Sequence, residues 1–432
     1  MLKFFIQKIL EHYAKRYLKK HDVKLVAVVG SVGKTTTKIA IASVLGEKFR
    51  VRTHEGNYNT ELAAPISILG IVYPDNVHSI GEWMNVFAAA RLRIKEPKDT
   101  DVVVQELGTD SPGNIPSFGK YLKPDIAVVT AVGLEHMEYF KKLEAVAKEE
   151  LSVAKFAKLT IVNRDDVDAR YARYAETTNI STYGTTEKAE YRITAETSNA
   201  LQGGVMGIFT SPEWDDVSVN LQLVGDHSFK AAAAAGAVGA KMGLDAHEVA
   251  VGMAKIRAVP GRMNVLRGVN GSMLIDDSYN SSPMAVAAAL KALYIIQSPQ
   301  RVAILGSMNE FGDLSPKAHE TVGHLCDPKY LDWVVTIGAD AEKYLAPAAK
   351  EKGCQVKSFK SPYDAGGFVH SVLKHGSVVL IKGSQNGVFA EEATKVLLHD
   401  ADDEDQLVRQ SAAWMQKKHT QFETPVVTNE EV

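Results

Sequence analysis

Apolar and polar positions along the chain alternate between two periods. Residues 1–21 keep the helical one, with Leu2, Phe5, Ile6, Ile9, Leu10, Tyr13, Tyr17 and Leu18 three or four apart. Away from that stripe lie Lys3, Lys8, Lys15, Arg16, Lys19 and Lys20 against a single acid, Glu11. Such a helix either packs its stripe on the domain that follows or lies on an anionic membrane surface, and both readings are open. From Val23 onward short apolar runs take over. Residues 26–29, 102–104, 126–129 and 159–162 are each bounded by polar residues or glycine and separated by helical stretches. That is the pattern of buried parallel strands in an α/β sheet.

Residues 185–225 alternate with a period of two, as antiparallel strands do, and residues 228–242 read as an alanine-rich helix. Pro260-Gly261 punctuates the chain, after which residues 274–275, 302–305, 334–337 and 378–381 supply the strands of a second sheet. Past Lys417 the sequence turns polar and acidic, the composition of a disordered tail. The pattern predicts an amphipathic helix over 1–22 and an α/β domain with a mostly parallel sheet over 23–265. A second, Rossmann-like α/β domain over 266–417 and a disordered tail over 418–432 complete it.

Composition narrows the function classes. A chain of 432 residues with 45% hydrophobic and 23% charged residues has ample length for two or three cores. The formal net charge of −3 gives no basic surplus for a nucleic-acid partner. The two cysteines, Cys326 and Cys354, lack metal-like spacing, so neither a disulfide framework nor a structural zinc site is expected. No run of about 18 apolar residues and no secretory leader pattern is present, which predicts a cytoplasmic protein.

Chemistry concentrates where the first strand ends. Gly30-Ser31-Val32-Gly33-Lys34-Thr35-Thr36 joins the run 26–29 to a helical segment. Glycines there let backbone N–H groups close on an anion, Lys34 can reach terminal phosphates, and the Thr35 hydroxyl suits Mg2+. The first glycine of the longer G-x-x-x-x-G-K-[ST] form falls on Val28, so this is the shorter G-x-x-G-K-T form of a P-loop. Strand, glycines, lysine and threonines in that order argue against an ordinary turn with a surface lysine. Parallel sheets present functional groups at strand carboxyl ends, which singles out Glu106 and His136 as Mg2+ ligands. Mg2+ prefers oxygen, and a lone histidine is as readily structural, so His136 stays open at this point.

Taken in order, these motifs resemble the Mur ligase family. The resemblance rests on the P-loop, Gly56-Asn57-Tyr58-Asn59, Glu106-Leu107-Gly108, Asn163-Arg164-Asp165-Asp166, Gly225-Asp226-His227, Gly261-Arg262, Asp276-Asp277-Ser278-Tyr279-Asn280 and Lys382-Gly383-Ser384. It extends over about residues 24–415. It implies an ATP- and Mg2+-dependent ligase that builds the peptide stem of peptidoglycan. The G-N-x-N, D-D-S-Y-N and 306–312 elements are most similar to the type that joins D-alanyl-D-alanine to a UDP-linked muramoyl tripeptide through an acyl phosphate. On that resemblance Gly30, Ser31, Val32, Gly33, Lys34, Thr35 and Thr36 hold the ATP phosphates. Thr35, Glu106 and His136 hold Mg2+, Asn163 and Asp165 lie near the adenine, Arg262 meets the phosphates, and Asp277 with Asn280 lies by the ribose. Asn57, Asn59 and His227 belong to substrate binding, and Lys382 with Ser384 receives the amino component. Lys34, Glu106, His136, Glu150, Arg262 and Lys382 form the catalytic set, with Glu150 a further metal ligand.

The sequence also departs from the family. A carbamylated lysine usual downstream of the metal-binding histidine falls on Glu150, which carries a carboxylate without modification. Glu150 therefore replaces it, unless Lys148 is modified in a shifted register or Glu150 is a solvated helix residue. An asparagine usual after G-x-H is replaced near Ala231, and the arginine often following K-G-S is Gln385. About 25 residues precede Val26, too few for the domain with which the family grips its UDP-sugar. The UDP-sugar is then held by other parts of the chain, or the acceptor is a different carboxylate, lipid-linked ones included. Lys34 and Lys382 fall in different domains, so domain closure is expected, in a monomer. The rival classes are a non-catalytic ATP-binding scaffold and a simple ATPase or kinase. Retention of Lys34, Thr35, Glu106, His136, Arg262 and Asp277 in one chain weighs against the scaffold, and dependence of phosphate release on both a carboxylate and an amine separates a ligase from an ATPase or kinase.

Overall fold

In the computed structural model, which describes residues 2–54, 56, 58–195, 205–223 and 225–422, the predicted runs become strands of two sheets. The chain divides between Arg257 and Ala258 into two units. The first holds strands β1 (Lys24–Val29), β2 (Val51–Arg52), β3 (Val102–Glu106), β4 (Ile126–Val129), β5 (Leu159–Asn163), β6 (Ile180–Gly184), β7 (Tyr191–Ala195), β8 (Val205–Thr210) and β9 (Val217–Leu221). Their order is β2-β3-β1-β4-β5-β6-β7-β8-β9, parallel from β2 to β7 and antiparallel from there on. The change of period near residue 185 precedes the place where the sheet changes sense, which lies between β7 and β8.

Strand β1 shows why its sequence is apolar from Leu25 onward. Val26 and Val28 face a core shared with the P-loop helix (Lys34–Leu45) and the alanine-rich helix (Asp226–Lys241), while Leu25, Ala27 and Val29 face another. Both sides of the pleat are covered, so neither can carry polar residues. Small residues let the two helices approach closely: a Cβ on Gly239 would stand 2.9 Å from Val44. The N-terminal helix (Leu2–His21) buries Ile6, Leu10, Ala14 and Tyr17 in this unit. Packing on the following domain therefore accounts for part of its stripe, and Leu2, Phe4, Phe5 and Ile9 remain exposed.

The second unit carries β10 (Asn264–Arg267), β11 (Met273–Asp277), β12 (Arg301–Gly306), β13 (Trp333–Ile337), β14 (Val356–Phe359) and β15 (Val378–Lys382) in the order β10-β11-β15-β12-β13-β14. All neighbours are parallel except β10 with β11. The expected disordered tail is corrected here over its first part, because residues Ala412–Phe422 form a helix. Lys418 is fully buried in it, 3.0 Å from Glu391 and 2.5 Å from Glu392. Phe422 packs edge-on to Tyr363 and Phe389. Polar composition misleads in this stretch because one of its charges, that of Lys418, is neutralised inside the fold rather than solvated. Residues 423–432 lie outside the described ones.

Candidate active site

The P-loop is held open by its own backbone. Gly30 adopts φ 126°, and a Cβ there would sit 2.2 Å from Thr130 Oγ1, so only glycine fits. Gly33, at φ 84°, caps the helix that begins at Lys34 and leaves its first N–H groups facing outward. Thr130 fixes the turn from beneath, its hydroxyl 2.6 Å from the Val32 carbonyl, and the Ser31 hydroxyl pairs with both backbone groups of Gly133. Lys34 Nζ donates to the Gly30 carbonyl at 2.5 Å, folding its ammonium over the loop. Thr36, half-buried, follows on the same first helical turn.

Glu106, at the end of β3, gathers the neighbours of this loop. Its Oε2 accepts from Thr35 Oγ1 at 2.8 Å and its Oε1 from Asn59 Nδ2 at 3.1 Å. Buried Lys38 stands 4.0 Å from the same carboxylate and donates to the carbonyls of His54 and Gly56. Thr35, Glu106 and Asn59 are thus brought together. Asn57 lies outside the described residues. Glu150, in the helix Leu143–Leu151, is also brought in: it is buried, and its Oε2 accepts from the Gly30 N–H at 2.8 Å. Burial pushes its carboxyl up to about 8, opposed by Lys34 and reinforced by Glu135. That burial corrects the reading of Glu150 as a solvated helix residue, while Lys148 is exposed.

His136 takes left-handed backbone angles, φ 48° and ψ 39°, a conformation that non-glycine residues adopt at a cost. Its Nε2 lies 3.5 Å from Glu135 Oε1 and 3.6 Å from Asp110 Oδ1, and Glu135 Oε2 lies 3.5 Å from Lys34 Nζ. Glu135 and Asp110 are members of the site that sequence reasoning missed. Glu135 had a signal, as the residue before His136; Asp110 had none, since its loop is placed by buried Glu149 accepting from the N–H groups of Gly113 and Ile115. Among the described residues no three His, Cys, Asp or Glu side chains converge as a ready-made metal cluster. The oxygen pair Thr35 and Glu106 nevertheless fits Mg2+, which commonly takes one or two carboxylates and completes its shell with water and phosphate oxygens.

Asn163 and Asp165 sit on the turn after β5, where their polar atoms shape the backbone. Asn163 Nδ2 donates to the Thr130 carbonyl at 2.8 Å, and Asp165 accepts from the N–H and hydroxyl of Thr185. Lys230 binds Asp166 at 2.8 Å and Asp226 at 3.3 Å, tying this turn to the first turn of the alanine-rich helix, where His227 lies.

The second unit assembles its own group. β11 and β15 are in register at Asp277 and Lys382, and Lys382 Nζ donates to Asp277 Oδ2 at 2.6 Å and to the Asn280 carbonyl at 2.9 Å. The Arg262 guanidinium lies over the Tyr279 ring, 4.1 Å from its centroid. Ser384 is fully buried and turned inward, accepting from the Asn309 N–H at 3.0 Å, so it positions loops. Arg409, another residue the sequence did not single out, donates to the carbonyls of Ser278 and Tyr279.

Beneath this group Asp276 is completely buried, accepting from the N–H groups of Gly261 and Ser278. Burial, reinforced by Glu391 and Asp277, pushes its carboxyl from 3.8 up to about 6. The folded chain therefore holds a proton that the unfolded chain releases, and stability falls as pH rises from about 4 to about 6. Asp276→Asn is expected to flatten that part of the stability profile, removing a dependence on the order of 2–3 kcal/mol. Denaturant midpoints across pH 4–7 measure it; an unchanged slope contradicts the assignment.

Known proteins resemble this chain in sequence and fold. The family described as Mur ligase middle domain matches residues 28–239, and that described as Mur ligase, glutamate ligase domain, matches residues 261–385. The chain belongs to the Mur ligase family. Within it, the chain is 27% identical over 400 residues to the UDP-N-acetylmuramoyl-tripeptide--D-alanyl-D-alanine ligase of Bacillus subtilis (strain 168), covering 90% of this chain and 79% of that one. The enzyme of the same name from Escherichia coli (strain K12) is 26% identical over 319 residues, 73% of this chain and 64% of that one. The solved structure of MurF ligase from Thermotoga maritima in complex with ADP superposes with a TM-score of 0.75 at 25% identity, covering 92% of this chain and 84% of that one. MurF from Acinetobacter baumannii superposes with a TM-score of 0.74 over 91% and 81% at 23% identity, a likeness of fold.

Proposed function

We propose that this chain is an ATP- and Mg2+-dependent ligase of peptidoglycan precursor synthesis, joining D-alanyl-D-alanine to the free carboxylate of a UDP-N-acetylmuramoyl tripeptide. It works as a cytoplasmic monomer on these small molecules. The observation that carries the reading is the glycine-built phosphate cradle with Lys34 folded over it and Thr35 hydrogen-bonded to buried Glu106. The relatives that bear this activity in their names support the choice of substrates.

The chemistry needs two displacements. A substrate carboxylate oxygen attacks the γ-phosphorus of ATP and ADP departs, which turns a poor leaving group into a good one. The dipeptide amine then attacks the carbonyl carbon, phosphate leaves, and the amine loses a proton. Lys34 and the N–H groups from Gly30 to Thr35 hold the transferring phosphoryl and meet the charge it develops. Thr35 and Glu106 would hold the Mg2+, with His136 as the family resemblance implies, and the ion would supply charge neutralisation; Glu150 stands in for the modified lysine with a carboxyl group that needs no modification. Asn59 and His227 serve the acceptor side and Arg262 the phosphates. Asp277 anchors Lys382 on the amine side.

The test is phosphate release from ATP with UDP-muramoyl tripeptide and D-alanyl-D-alanine, offered singly and together, with mass spectrometry of the product. Release only with both, and a product heavier by one dipeptide, is expected. Release with neither partner present makes the chain a simple ATPase. Silence with the pair moves the acceptor to another carboxylate.

A further inference from the structure

The N-terminal helix presents two apolar faces, and the fold uses one. Ile6, Leu10, Ala14 and Tyr17 are buried, whereas Leu2, Phe4 and Phe5 are each 58% exposed and Ile9 is exposed beside them. Exposed large side chains occur singly on most surfaces; a contiguous group of them at one helix end marks a contact surface. The neighbouring helix, Ile80–Lys95, adds exposed Ile80 and Met84. Between the two helices runs an open groove of about 590 Å³, floored by Phe5, Ile9 and Tyr13 and edged by Arg16, Arg91 and Lys95.

Charge selects the occupant. The helix carries six lysines and arginines and one acid, and that acid is withdrawn: Glu11 is buried and paired with Lys8 at 2.6 Å. Lys3, Lys15, Arg16, Lys19 and Lys20 are exposed. No helix among the described residues is long and apolar enough to cross a membrane. An apolar helix end with two phenylalanines, flanked by cations and an arginine-edged groove, is suited to lie in the interface of an anionic bilayer. A protein partner of ordinary composition would not require so uniform a sign.

We propose that the N-terminal helix docks the chain peripherally on anionic phospholipid, with Leu2, Phe4 and Phe5 inserted at the headgroup boundary and Arg16, Arg91 and Lys95 meeting lipid phosphates. This goes beyond the ligase reading and stands independently of it. Co-sedimentation of the full chain with vesicles of phosphatidylglycerol and phosphatidylcholine, against pure phosphatidylcholine, tests it. Binding to the anionic vesicles should exceed binding to neutral ones by at least about tenfold and weaken with salt. The double variant F4S/F5S, whose side chains take no part in the buried face, and the charge reversal K15E/R16E should each lower it about tenfold. Both should keep the thermal unfolding and soluble phosphate-release rate of the parent. Equal binding to both vesicle types overturns the proposal, as do variants that bind like the parent. Light scattering that shows a Phe-dependent dimer also overturns it, assigning the surface to a second copy.

Discussion

Lys34→Met is expected to lower the ATP-dependent rate by about 10³-fold, with thermal unfolding close to that of the parent. Lys34 is the cation folded over the phosphate loop, and the groups it faces explain the size of the effect. Glu135 lies 3.5 Å from its ammonium, and Glu150 is fixed on the Gly30 N–H. Lys34 is also the first opposing influence on the raised Glu150 carboxyl. Without it, the cradle keeps the Glu135 and Glu150 side chains and loses the cation that makes it hospitable to a triphosphate. Both nucleotide affinity and transition-state stabilisation then suffer. Methionine keeps most of the lysine's aliphatic length, so the substitution leaves no large cavity. Initial rates at saturating ATP, with unfolding curves for both proteins, decide the matter. A loss below tenfold would remove Lys34 from the chemistry.

Parallel strands covered on both faces are mostly apolar, so β1, β3, β4, β5, β11, β12, β13 and β15 stood out in the sequence as short apolar runs, broken only by Thr160 in β5 and Thr336 in β13. β2, two residues long, and β14, whose Val-Lys-Ser-Phe alternates, lack that signature and were not legible. The site divides in the same way. Residues tied to backbone geometry could be read: Gly30 and Gly33 need positive φ, and Glu106 must follow its strand. Asp110 meets His136 only through a loop that Glu149 anchors from another helix, a relation that no local spacing encodes. Ser384 lies in the K-G-S motif as the resemblance implied, yet its buried hydroxyl serves Asn309, a role only coordinates reveal.

The C-terminal helix is the sharpest such case, and its removal from the fold has a large expected effect. Lys418→Met is expected to destabilise the second unit by about 3–5 kcal/mol, because breaking a buried ion pair leaves an uncompensated charge. Lys418 is completely buried between Glu391 and Glu392, and its ammonium also donates to the Arg409 carbonyl at 2.8 Å. Glu391 would keep Arg409 at 2.6 Å, whereas Glu392 would keep only the Gln410 amide at 3.1 Å. The strain falls on Arg409, whose guanidinium braces Ser278 and Tyr279, and so on the loop that presents Asp277 to Lys382 and Tyr279 to Arg262. A fall in stability should therefore be accompanied by a rise in KM for the substrates. Lys418→Met combined with Glu392→Leu should recover part of the stability, since replacing both partners removes the stranded charge. Urea unfolding and steady-state kinetics of the single and double variants measure both effects. A single variant that loses less than about 1 kcal/mol would show that the ions are solvated in solution, at the level of an exposed pair. The helix would then be an appendage rather than the brace of the D-D-S-Y-N loop.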